Sequence, residues 1–168
     1  MSAQRSEPAR VLVAGIGNIF LGDDGFGVEA VQRLARVPLP PGVETVDTGV
    51  RGVHLAYQLL DGYDTVILLD ATRRGAPPGT VHVIDASQQP AEAGPVAVDG
   101  HRMTPDAVLA LLDTLSAGTG GRRPDRILVV GCEPACLDEG IGLSAPVAAA
   151  LDEAAATVLA LVGAPVAG

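Results

Sequence analysis

The chain has no lysine and no tryptophan, and its 168 residues include only two tyrosines, two phenylalanines and two cysteines. With 48% of residues hydrophobic and so few aromatics, the core must be built from Ala, Val, Leu and Ile. Such an aliphatic core suits parallel strands covered by helices on both faces. Two cysteines are too few for a disulfide framework. The i, i+4 spacing of Cys132 and Cys136 also lacks the two-pair arrangement of a structural zinc site. They read as reduced thiols that pack, with a redox or metal role as the alternative. No stretch reaches the length of a transmembrane helix, and the polar first ten residues hold no apolar signal core. The expected location is therefore cytoplasmic. All eleven basic residues are Arg, set against twenty Asp and Glu, for a formal charge of −9. That balance makes nucleic acid and anionic membrane poor partners. A metal ion or a less acidic protein fits better.

The length suits a single domain over 1–168, with residues 1–9 expected as a flexible N-terminal tail. Strands are predicted at Val11–Ala14, Val43–Val46, Val66–Leu69, Val81–Ile84 and Ile127–Val130. Helices are predicted from about Phe26 to Arg36, Val53 to Leu60, Pro105 to Ser116 and Pro146 to Leu161. Thr104 caps the third, with Pro105 at its first position and Asp106 in its first turn; Ser144 and Pro146 repeat the device. Only residues 71–79 separate the strand ending at Asp70 from the next one, too short for a helical crossover. That pair is expected to be antiparallel, within a mixed, mostly parallel five-stranded sheet with helices on both sides. Ala86 to Gly100 shows no periodicity and reads as a long surface loop.

After the first strand, Gly15-Ile-Gly17-Asn18 leads through Ile19-Phe-Leu to Gly22-Asp23-Asp24-Gly25. A dinucleotide fingerprint fails here. Its third glycine would fall at Phe20, and two aspartates stand where a helix N-terminus would receive phosphate. In open α/β sheets ligands bind outside the carboxyl ends of strands, which is where this loop lies. Asp23 and Asp24 equally read as caps that complement the helix dipole.

Asp47 and Asp70 close the second and third strands, so parallel strands would open all three acidic loops on one edge. Asp70 ends a run so apolar that its carboxylate needs a partner, whether a turn, Arg73 or Arg74, or a ligand. His101 lies just before the Thr104 cap, while His54 and His82 do not clearly face the same crevice. If the loop before Thr104 folds over the strand ends, His101 meets Asp24 and Asp70 in a plausible transition-metal site. There is no Gly-x-Ser-x-Gly elbow. Cys132 follows a strand but has no basic neighbour to lower its pKa.

These motifs, together with Leu69-Asp70-Ala71, His101, Val130-Gly131-Cys-Glu133-Pro134 and Gly140-Ile-Gly142-Leu143-Ser144, resemble the hydrogenase maturation proteases from Val11 to about Leu161. Those endopeptidases remove a C-terminal extension from the large-subunit precursor of nickel–iron hydrogenases. The resemblance implies a three-layer α/β/α fold with a mixed five-stranded sheet of order 2-1-3-5-4, strand 4 antiparallel. It also implies that Asp24, Asp70 and His101 are the metal-contacting and catalytic residues. The metal would be nickel already installed in the precursor, engaged through the substrate and not held permanently. Asp23 or Asp47 would be possible contacts for the extension. Two other classes stay open: a non-catalytic nickel-sensing checkpoint protein for the same precursor, and a small-ligand-binding α/β domain.

Overall fold

The first strand, β1 (Val11–Ile16), is buried at all six of its residues. A strand with no polar face has to lie mid-sheet under helices on both sides. In the computed structural model, which describes residues 10–49, 55, 58–87, 109–110, 113 and 124–163, β1 does so. It pairs in parallel with β2 (Val43–Gly49) and β3 (Thr65–Ala71). β3 pairs in parallel with β5 (Arg126–Cys132), and β4 (Val81–Asp85) lies antiparallel to β5. The order is β2-β1-β3-β5-β4. The short connection after β3 thus reverses the chain, as its length requires.

Alternation along the strands divides the core in two. Val11, Val13, Ile67, Leu69, Leu128 and Val130 face α1 (Phe26–Leu34), α2 (Ala145–Ala149) and α3 (Leu151–Leu161). Leu12, Ala14, Val66, Leu68, Ile127 and Val129 face the other way, onto Leu55, Leu59 and Leu109. Leu55, Gln58, Leu59, Leu109, Ala110 and Asp113 are helical, within the spans predicted for the second and third helices. Most residues of those spans, including His54 and the Thr104 cap, lie outside the described residues, as do His101, residues 1–9 and 88–100. Among the described residues no helix is long and apolar enough to cross a membrane.

Two expectations needed correction. The last helix is not continuous, because α2 stops at Ala149 and α3 starts at Leu151. The Ala150 amide donates to Val147 O at 3.0 Å, an i→i−3 bond that tightens the turn. The first helix also ends at Leu34 instead of reaching Arg36.

One close contact seats α1 on the sheet. A Cβ at Gly27 would lie 2.0 Å from Leu69 O and 2.5 Å from Ile16 O. Gly27 therefore lets the start of α1 rest directly on the ends of β1 and β3. Gly27→Ala should push the helix outward and lower the unfolding free energy by about 2–3 kcal/mol, measured by urea denaturation. An unchanged midpoint would show that this contact is not needed.

Candidate active site

The chain leaves β1 at Ile16 and must turn sharply to reach α1. Gly17 makes the turn with φ +130°, a conformation side chains disfavour. A 3-10 turn, Gly22–Gly25, then delivers the chain into α1. Both carboxylates of this turn are buried, yet neither caps α1: its N-cap is Gly25, with no side-chain cap bond. The capping alternative is therefore set aside.

Asp23 is fully buried and accepts four hydrogen bonds. Its Oδ1 takes the Ser144 amide at 2.7 Å. Its Oδ2 takes the amides of Ala135 and Cys136 at 2.8 and 3.0 Å, and the Ser144 hydroxyl at 2.8 Å. Burial alone would raise its pKa, but the donors at Ser144, Cys136 and Ala135 outweigh it and hold the carboxyl below the ordinary 3.8. Asp23 thus clamps the loop after β5 against the loop after β1 and is not an exposed contact for a substrate. Ser144 stands at the N-cap position of α2, but its hydroxyl serves Asp23 instead of the helix.

Asp24 turns the other way. Its Oδ2 accepts the Asn18 amide at 2.8 Å, and Asn18 Oδ1 accepts the Phe20 amide at 2.9 Å. The loop between them is therefore braced on the carboxylate. Asp70 lies one residue before the end of β3 and is 3% exposed. Gly17 brings the two together: a Cβ there would lie 2.0 Å from Asp24 O and 3.5 Å from Asp70 Oδ1. The main-chain carbonyl of Asp24 and the carboxylate of Asp70 thus border one glycine. Asp47 takes a different direction. β2 runs past it to Gly49, and Asp47 Oδ2 accepts from Gln32 Nε2 of α1 at 3.3 Å.

The register brings His82, which the sequence did not place at the crevice, into line with Asp70. Asp70, Gly131 and His82 stand in line across β3, β5 and β4, so Asp70 and His82 lie on one face of the sheet. Thr72 and His82 are hydrogen-bonded above Gly131. Burial and the Arg74 guanidinium hold His82 below its ordinary 6.5 against the opposing pull of Glu133, so it is neutral at neutral pH. The glycine at 131 was the available signal, but only the antiparallel register of β4 gives it meaning.

Beyond that row, Glu133 is buried and accepts the amides of Arg74 and Ala76, each at 2.8 Å. It holds the β3–β4 connection as Asp23 holds the other loop. Cys132 is buried, and burial together with Asp23 and Glu133 pushes its thiol up to about 11. Such a thiol is protonated and is no nucleophile. Cys136 is exposed, and both cysteines are free.

The structure is an α/β/α domain with buried acidic residues in the loop after β1 and near the end of β3. Comparison narrows the class. The profile of the HycI hydrogenase maturation protease family matches residues 28–161. HupD, a hydrogenase expression/formation protein of Rhizobium leguminosarum bv. viciae, is 34% identical over 152 residues, 89% of this chain and 72% of that one. HupM of Azotobacter chroococcum, similarly described, is 37% identical over 152 residues, covering 89% and 70%. The structure of the hydrogenase maturating endopeptidase HybD from E. coli superposes with a TM-score of 0.71 at 31% identity, covering 92% of each chain. The chain belongs to the hydrogenase maturation protease family and is a proteolytic enzyme.

Proposed function

We propose that this enzyme removes the C-terminal extension of a nickel–iron hydrogenase large-subunit precursor once nickel is in place, using Asp24, Asp70 and His101. The observation that supports the reading is that Gly17, just after β1, is bordered by the main-chain carbonyl of Asp24 and the carboxylate of Asp70 near the end of β3. His101 lies outside the described residues and enters through the family resemblance, as the third donor. Two carboxylates and an imidazole match the oxygen and nitrogen ligands that divalent nickel accepts. Nickel brought by the substrate would be met by Asp24, Asp70 and His101 and would supply Lewis acidity to the reaction. Asp24, braced by the Asn18 amide, holds its charge in a fixed place. A carboxylate at that position can take the proton of an attacking water. Asp70, from the neighbouring strand, would be the second carboxylate donor. The reading treats 1–168 as a single working domain, acting in the cytoplasm beside its precursor, where free thiols persist.

The direct test is to incubate purified protein with nickel-loaded precursor and follow precursor mass. A loss equal to the C-terminal segment is expected, and an unchanged mass overturns the proposal. A thiol mechanism is tested in the same assay. Cys132→Ser combined with Cys136→Ser should cleave within about threefold of wild type, while stability falls by about 1–3 kcal/mol from the buried hydroxyl. A well-folded double variant that no longer cuts would restore the thiol to the mechanism.

A further inference from the structure

Asn18 is held against one carboxylate of the proposed site and follows the glycine that borders the other. Its main-chain amide donates to Asp24 Oδ2 at 2.8 Å, and a Cβ on Gly17 would lie 3.5 Å from Asp70 Oδ1. Asn18 itself is half-buried in the loop after β1. Its side chain closes a local turn, in which Oδ1 accepts the Phe20 amide at 2.9 Å. A main-chain N–H only donates, so this bond settles which way the side-chain amide is turned. The oxygen is occupied, and Nδ2 with its two hydrogens is turned away from the Phe20 amide. Among the described residues none accepts from that Nδ2. Beside two carboxylates, which only accept when ionised, stands a neutral group held in place with two hydrogens to give.

We propose that Asn18 is a catalytic residue whose Nδ2 donates a hydrogen bond to the scissile carbonyl oxygen as that oxygen becomes an oxyanion. The inference rests on the protease reading above and adds a residue to its machinery. When water adds to the carbonyl carbon, the π electron pair of the C=O bond moves onto oxygen and the water proton passes to a carboxylate. Asp24 and Asp70 repel the new negative charge, whereas an amide N–H placed beforehand stabilises it. Asn18 gives no proton. On collapse of the adduct the pair returns, the C–N bond breaks, and the leaving nitrogen takes the proton from the carboxylate. The two bonds that anchor Asn18, to Asp24 and from Phe20, exist before substrate arrives, so the donor needs little reorganisation during the reaction.

The test measures kcat and KM on nickel-loaded precursor for wild type, Asn18→Asp and Asn18→Ser. Both variants keep the main-chain amide for Asp24 and a side-chain oxygen that can accept the Phe20 amide, so both keep the turn. Ionised aspartate has no donor, and the serine hydroxyl is carried one bond closer to the main chain. Serine adds no charge, so a loss shared by both variants is not repulsion from Asp24. Each should lower kcat by about 10²–10³-fold, the loss for one oxyanion donor, with KM within about threefold. Urea midpoints matching wild type show that the turn is intact. A folded variant of either kind with kcat within about tenfold of wild type overturns the inference while leaving the protease reading intact. A raised KM with unchanged kcat also overturns it, because the bond would then be equally strong before the reaction. If wild type does not cut the loaded precursor, the protease reading fails and this inference fails with it.

Discussion

Asp24→Ala and Asp70→Asn should each slow precursor cleavage by about 10²–10⁴-fold, the range for removing a positioned acid or base. The loss should come without unfolding. Asp24 gives up its bond from the Asn18 amide, worth about 1–3 kcal/mol for a charged acceptor. Asp70→Asn keeps the side chain's shape and deletes only its charge. His101→Ala belongs to the same set and should show the same separation of activity from stability. Mass-resolved cleavage rates and urea midpoints on the same preparations decide the matter. A folded Asp24→Ala variant that cuts at the wild-type rate removes that carboxylate from the mechanism.

The adjacent residue should behave in the opposite way. Asp23→Ala should cost about 3–5 kcal/mol of stability, because it leaves three amides and a hydroxyl in a buried site without their acceptor. Against a typical domain stability of about 5–15 kcal/mol, that is a large fraction. Asp23→Asn should rescue little. An amide offers one oxygen, whereas both Asp23 oxygens accept, so one donor must face an NH₂ group. Acid should reveal the same clamp. The folded pKa of Asp23 lies below 3.8, so its contribution is complete well above that value. It is lost as pH falls from 3.8 through the lower folded value, where the carboxylate gains its proton. The wild-type urea midpoint should fall in that window, and Asp23→Ala should flatten the change. Equal acid sensitivity in the two proteins would assign the effect elsewhere.

Much of the architecture was legible because strand signals here are local. Four-residue segments, three wholly apolar and two (Val43–Val46 and Val81–Ile84) with polar residues between apolar ends, located all five strands, and the nine-residue gap at 71–79 implied the antiparallel pair. The position of Asp24 in the loop after β1 and of Asp70 near the end of β3 was legible for the same reason. Asp23 was not. Its partners lie 112 to 121 residues away in sequence, so a capping aspartate and a clamping one look alike until the loops meet. Ser144 misled in a related way, since the serine sits at the cap position while its hydroxyl is drawn to a distant carboxylate. His82 required the register of β4 against β5, which strand prediction does not supply. The break at Ala150 rests on one tightened hydrogen bond within an alanine-rich segment whose composition reads as continuous helix.

The contrast between Asp23 and Asp24 also explains why two acids stand side by side. One joins the loops, and the joined loops hold the other in place. The central claim is that the second acid, with Asp70 and His101, reads nickel in the precursor before the peptide is cut. Wild-type enzyme incubated with nickel-loaded and nickel-free precursor, each followed by intact mass, tests it most directly. Cleavage of the loaded form alone is the predicted result, and equal cleavage of both forms would contradict it.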